Sequence, residues 1–92
     1  AMPEGFEEAL TRNYPTDARR LGVGGRAVAR LRVRSDGSCD QIAIAGEDPV
    51  GYAFGDACAR TLRGTRWSPP LDARGQPVAT RVRLTCEFEL RD

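Results

Sequence analysis

A chain of 92 residues carrying 14 basic against 13 acidic side chains is sized for one small domain with a two-layer core, and its near-neutral balance argues against a generally basic, nucleic-acid-coating protein. The absence of His removes the commonest general base and the commonest metal ligand. No apolar run approaches the ~18 residues that span a membrane, and no signal peptide is recognisable.

Residues 1–92 are expected to form a single domain, with Ala1-Met2 a remnant of expression cloning and residues 3–13 an N-terminal extension. From Pro3 to Arg12, Phe6, Ala9 and Leu10 recur at i, i+3 and i+4 and predict a short amphipathic helix that Gly5 weakens. Tyr14-Pro15 opens a second helical segment, with Pro suited to the first helical position and Asp17 to the positive end of the helix dipole. In it Ala18 and Leu21 are expected to face the core, with Gly22 as the stop. Gly22-Val23-Gly24-Gly25 has a superficial likeness to a phosphate loop, but it precedes a strand instead of opening a helix, so it is read as a tight lead into the sheet.

The first strand is predicted over Arg26–Ser35, where Ala27, Ala29, Leu31 and Val33 alternate with Arg30, Arg32 and Arg34. Asp36-Gly37 then signals a hairpin. The second strand is predicted over Ser38–Ala45 with Ile42 and Ile44 inward. Cys39 joins them only if a bulge shifts the register between 39 and 42. Glu47-Asp48-Pro49 is expected to end that strand.

Tyr52–Arg63 reads as a helix, with Phe54, Ala57, Cys58, Thr61 and Leu62 on one stripe and small residues that let it lie close to a sheet. Trp67-Ser68-Pro69-Pro70 anchors its exit with one large buried ring, and a turn-rich loop from Asp72 to Gln76 delivers the last strand. That strand is the clearest signal in the chain. From Pro77 to Leu90, Val78, Thr80, Val82, Leu84, Cys86, Phe88 and Leu90 fall on one face, and Arg81, Arg83, Glu87 and Glu89 on the other.

The elements assemble as an α-β-β-α-β, two-layer α+β fold: a three-stranded antiparallel sheet in the order 2-1-3, helices on one face. The final strand is then an edge, with one side free to accept another chain.

The residues resemble the C-terminal domain of TonB, the periplasmic energy-transducing protein. The likeness rests on Tyr14-Pro15 with Ala18, the GGRAVARLRV run, Asp36-Gly37, the helix from Phe54, Trp67-x-Pro69, Gly75-x-Pro77-Val78 and Phe88-x-Leu90. It departs at Thr65, where the family often carries Trp, and at Cys39, Cys58 and Cys86, where aliphatic residues are usual. The membrane anchor and Pro-rich spacer typical of full-length members are not in this sequence. The resemblance implies binding and not catalysis: the last strand, over Arg81, Val82, Arg83, Leu84, Thr85, Cys86, Glu87 and Phe88, captures a peptide segment of an outer-membrane transporter by strand addition. It further implies a periplasmic domain tethered to the inner membrane and driven by motor proteins through its N-terminal part. Two alternatives stand beside this: an adaptor in another envelope-spanning machine of motility, secretion or sensing, and a structural module whose edge pairs with its own copy as a homodimer.

Arg30, Arg32, Arg34, Arg81 and Arg83 are expected on the sheet face away from the helices, as a platform for an acidic protein or polymer or as an ordinary solvated, ion-paired face. That face has no aromatic residues for base stacking, which disfavours nucleic acid. For the cysteines two arrangements remain open, buried free thiols or a Cys58–Cys86 disulfide. Their spacing without His offers no metal site, and no nucleophile–base pair or facing carboxylates suggests an enzyme or a cofactor.

Overall fold

The computed structural model describes residues 5–90. Ala1-Met2 and the Pro3 start of the expected first helix lie outside the described residues. The chain runs α1 (Phe6–Arg12), α2 (Thr16–Leu21), β1 (Gly25–Val33), β2 (Cys39–Asp48), α3 (Phe54–Arg63) and β3 (Thr80–Phe88). The three strands form one antiparallel sheet in the order β2-β1-β3, as expected from the hairpin and the helical crossover.

The core lies between the sheet and the helices. Ala27, Ala29, Leu31 and Val33 of β1 and Leu84, Cys86 and Phe88 of β3 are buried against Phe54, Ala57, Cys58 and Leu62 of α3. Small side chains on both layers bring α3 close: a Cβ added to Gly25 would lie 2.5 Å from the Phe54 ring. Packing of α1 is against α3 and β3, with Phe6 and Leu10 buried.

The hairpin turn spans 34–38. Arg34 N–H donates to the Ser38 carbonyl at 2.8 Å, and Gly37 N–H to the Arg34 carbonyl at 2.9 Å. The Asp36 carboxylate accepts from the Ser38 hydroxyl at 2.6 Å and its N–H at 3.0 Å, which holds its pKa below the usual carboxylate value. Gly37 has φ 87°, and a Cβ there would meet the Trp67 carbonyl at 2.6 Å. Trp67 N–H in turn donates to the Gly37 carbonyl at 2.8 Å, so the segment leaving α3 is laced across the hairpin tip.

Several boundaries differ from the sequence-based expectation. β1 ends at Val33, because Arg34 and Ser35 belong to the turn. β2 continues to Asp48, since Glu47 and Asp48 still pair with Ala27 and Arg26. Two register shifts make this length compatible with the core. One lies opposite Arg30–Arg32, where Gln41 takes φ 52° and Cys39 is returned to the inner side across from Val33, and the other lies opposite Val28–Ala29.

Pro15 is the cap before α2 and not its first residue. Leu21 is 59% exposed, not inward, because Gly22 at φ 72° folds the chain back. Val23 N–H then reaches the Ala18 carbonyl at 2.8 Å, and Val23 packs on the core in the place expected for Leu21. α3 starts at Phe54, with Tyr52 in the preceding turn, and Trp67 is half-buried instead of enclosed. β3 is shorter than Pro77–Leu90. Val78 is held by an N–H bond to the Pro70 carbonyl at 2.9 Å, outside the ladder, and Leu90 is exposed past the end of β1.

Candidate functional site

β3 pairs with β1 alone, from Gly25 opposite Phe88 to Val33 opposite Thr80, without a bulge. Among the described residues no strand covers its other side. Which backbone groups that open side presents follows from the hairpin. The Arg34 N–H is directed at β2, and successive residues of a strand address opposite neighbours. Even-numbered residues of β1 therefore address β2 and odd-numbered ones address β3. Through the constant register, Thr80, Val82, Leu84, Cys86 and Phe88 turn their N–H and C=O groups to β1. Those of Arg81, Arg83, Thr85 and Glu87 point to the open side.

The eight residues predicted to bind a partner thus divide in two. Arg81, Arg83, Thr85 and Glu87 present free backbone groups and exposed side chains. Val82, Leu84, Cys86 and Phe88 have their backbone engaged by β1 and their side chains turned to the core. Sequence periodicity cannot make this division, because it reports the face of a side chain and not the direction of its N–H.

The open strand is firmly seated. Cys86 is joined to Cys58 of α3 by a disulfide with S–S 2.09 Å, which ties the middle of the helix to the edge strand. Cys39 is a half-buried free thiol whose Sγ lies 3.0 Å from the Leu62 carbonyl, and burial pushes its pKa up. At the end of β3, Phe88 packs with Phe54 at 5.1 Å between centroids and meets the Tyr14 ring edge-on at 5.6 Å. The Tyr14 hydroxyl donates to the Val23 carbonyl at 2.6 Å; burial pushes its pKa up, against the opposing charge of Arg19. The role of Tyr14 as a clasp on the last strand is not visible in the sequence, where Tyr14-Pro15 reads only as the start of a helix.

The sequence reading also missed a cleft of about 240 Å³ between α1 and the end of β3, floored by Phe6, Leu10, Tyr14 and Phe88. The apolar face of α1 is the only signal that pointed to it.

The arginines predicted as an anion platform do share the outer face, but they are not equivalent. Arg32 makes a two-pronged ion pair with Asp40 of β2 at 2.7 and 2.9 Å, and Arg34 meets the same carboxylate at 3.3 Å. Arg30 has no carboxylate partner among the described residues. Hydrogen bonding from Arg32 holds Asp40 below its usual pKa. A carboxylate depressed in the folded state contributes stability that is present above its unfolded pKa near 3.8 and is lost as pH falls through the folded value. Asp40→Asn is therefore expected to flatten the acid limb of the stability curve below about pH 4, measured by denaturant unfolding across that range. An acid limb unchanged by the substitution would exclude this role.

Among the described residues no group of three His, Cys, Asp or Glu is placed to hold a metal, and no helix is long and apolar enough to cross a membrane.

Comparison with known proteins agrees with the fold. The family model described as the Gram-negative bacterial TonB protein C-terminal matches residues 11–90. The solution structure of the Pseudomonas aeruginosa TonB C-terminal domain superposes with a TM-score of 0.70 at 24% identity, covering 86% of this chain and 78% of that one. That of Helicobacter pylori superposes with a TM-score of 0.54 at 15% identity, covering 95% and 78% respectively. No individually curated protein matches the chain in sequence.

Proposed function

The chain belongs to the Gram-negative TonB C-terminal family, and from that premise we propose that it captures an extended peptide segment of an outer-membrane transporter by adding it as a fourth strand beside β3. TonB C-terminal domains are periplasmic, non-enzymatic transducer domains that interact with outer-membrane transporters in energy transduction. The observation that carries the finer reading is the side of β3 left unpaired among the described residues, with the backbone groups of Arg81, Arg83, Thr85 and Glu87 turned outward along an unbulged strand.

Main-chain hydrogen bonds along this edge supply affinity whatever the side chains, and exposed side chains supply selectivity. Work drawn from the proton gradient by inner-membrane motor proteins reaches the domain through an N-terminal tether. A load along the captured strand is shared among several parallel hydrogen bonds, and the Cys58–Cys86 bridge passes part of it from β3 to α3. A buried disulfide also suits the oxidising periplasm.

The test is a titration of isotope-labelled protein with peptides from candidate transporters while backbone amide shifts are recorded. The expected result is perturbation centred on Arg81, Arg83, Thr85 and Glu87. Shifts that spare residues 80–88 would overturn the proposal. Sedimentation at increasing concentration separates the competing use of the same edge: a stable dimer unable to take up peptide would mean that β3 pairs with a second copy.

A further inference from the structure

The outward face of β3 is divided by charge along its length. At its start Arg81 stands directly opposite Arg32 and Arg83 opposite Arg30, and like charges across a ladder are destabilising. Arg32 is drawn the other way, to Asp40 on β2. Arg81 and Arg83 have no carboxylate within 4.0 Å among the described residues. Repulsion from β1 favours turning both guanidinium groups toward the open edge.

At the other end the sign reverses. Glu87 near the end of β3 and Glu89 just past it are joined by Glu7 of α1 around the cleft floored by Phe6, Leu10 and Phe88. Glu87 stands opposite Arg26 without closing an ion pair within 4.0 Å. An edge with no function beyond folding would gain from placing carboxylates opposite Arg30 and Arg32, where β3 instead places Arg83 and Arg81. The acidic side chains are gathered at the far end of the strand.

We propose that the β3 edge selects an extended peptide with segregated charge: acidic side chains beside Arg81 and Arg83, an apolar side chain entering the cleft at Phe88, and a basic side chain beside Glu87 and Glu89. This rests on the strand-addition reading above. A strand added to β3 lies about 4.8 Å away, so same-face side chains across the new ladder come within about 5 Å, close enough for ion pairs. The backbone edge accepts many sequences. The charge pattern sets the register and direction in which one of them docks.

The test uses two synthetic Val/Thr peptides of identical composition. One carries Glu at one end and Lys at the other, and the second carries the same charges evenly interspersed. The segregated peptide is expected to bind about tenfold more tightly at low salt, with an advantage that shrinks as salt is raised. A spin label on its Lys end broadens amides near Glu87, and one on its Glu end broadens those near Arg81. In the combined variant R81E, R83E, E87R and E89R, whose side chains are all exposed, the two labels exchange places. If both peptides perturb residues 80–88 with equal affinity, or the label positions do not respond to charge reversal, the charge proposal fails while strand addition stands. If neither peptide perturbs residues 80–88, strand addition fails and the charge proposal with it.

Discussion

Reduction of the Cys58–Cys86 bridge lowers the melting temperature by roughly 14–29 °C. The bridge closes a loop over a sequence separation of 28 residues, and a cross-link of that span stabilises by about 3.6 kcal/mol, chiefly by restricting the unfolded chain. In a domain of this size each kcal/mol corresponds to about 4–8 °C. Both cysteines are fully buried, and they connect α3 to a strand that, among the described residues, pairs with β1 alone. Loss of the bridge is therefore expected to loosen β3 first. Thermal melts with and without reductant check this, and the variant Cys39→Ser, which keeps the bridge, should respond to reductant as the native chain does. A Cys58→Ala, Cys86→Ala variant that melts with the oxidised protein would remove the bridge from the account of stability.

The second large effect separates recognition from folding at adjacent residues. Thr85→Pro is expected to leave the fold in place and reduce peptide affinity at least tenfold, whereas Leu84→Pro unfolds the domain. The Thr85 amide faces the open side of an edge strand, where Pro is tolerated, and its side chain is exposed. Its loss removes one hydrogen bond from the middle of the added ladder, and the ring obstructs the incoming backbone. Leu84 sits opposite Ala29, addresses β1 and is 8% exposed. Pro there removes a ladder bond, at about 3 kcal/mol, and a buried aliphatic side chain, at about 2–5 kcal/mol, which together rival the whole stability of about 5–14 kcal/mol expected for a chain of this length. Circular dichroism reports the fold and calorimetric titration the binding. If both variants stay folded and bind, or both unfold, the assignment of the outward backbone groups is wrong.

The elements best read from sequence were those whose side chains alternate without interruption. β1 and β3 each present one apolar and one charged face, and no other structure matches a period of two over so many residues. The need for a bulge near Cys39 was also legible, because Cys39 and Ile42 cannot share a face in a regular strand. The end of β2 was not. Glu47 and Asp48 look like a polar terminator but pair with Ala27 and Arg26 because β1 extends beneath them. Leu21 misled for a related reason: helical periodicity assigns it inward, but the chain reversal at Gly22 brings Val23 onto the core instead.

By itself the sequence determined the faces of its strands, because hydrophobic periodicity records which way each side chain must turn, and the α+β order with β3 as an edge, because the Asp36-Gly37 hairpin pairs the first two strands and the helix carries the third beside the first. Only the tertiary structure decided which backbone groups of β3 stay free, which arginines face one another and which find Asp40, and how α1 forms a cleft beside the open strand. Those depend on register between segments far apart in the chain. A residue's own neighbours in sequence determine its face, but its partner across the sheet is chosen by the hairpin, the bulges and the packing of the helices together.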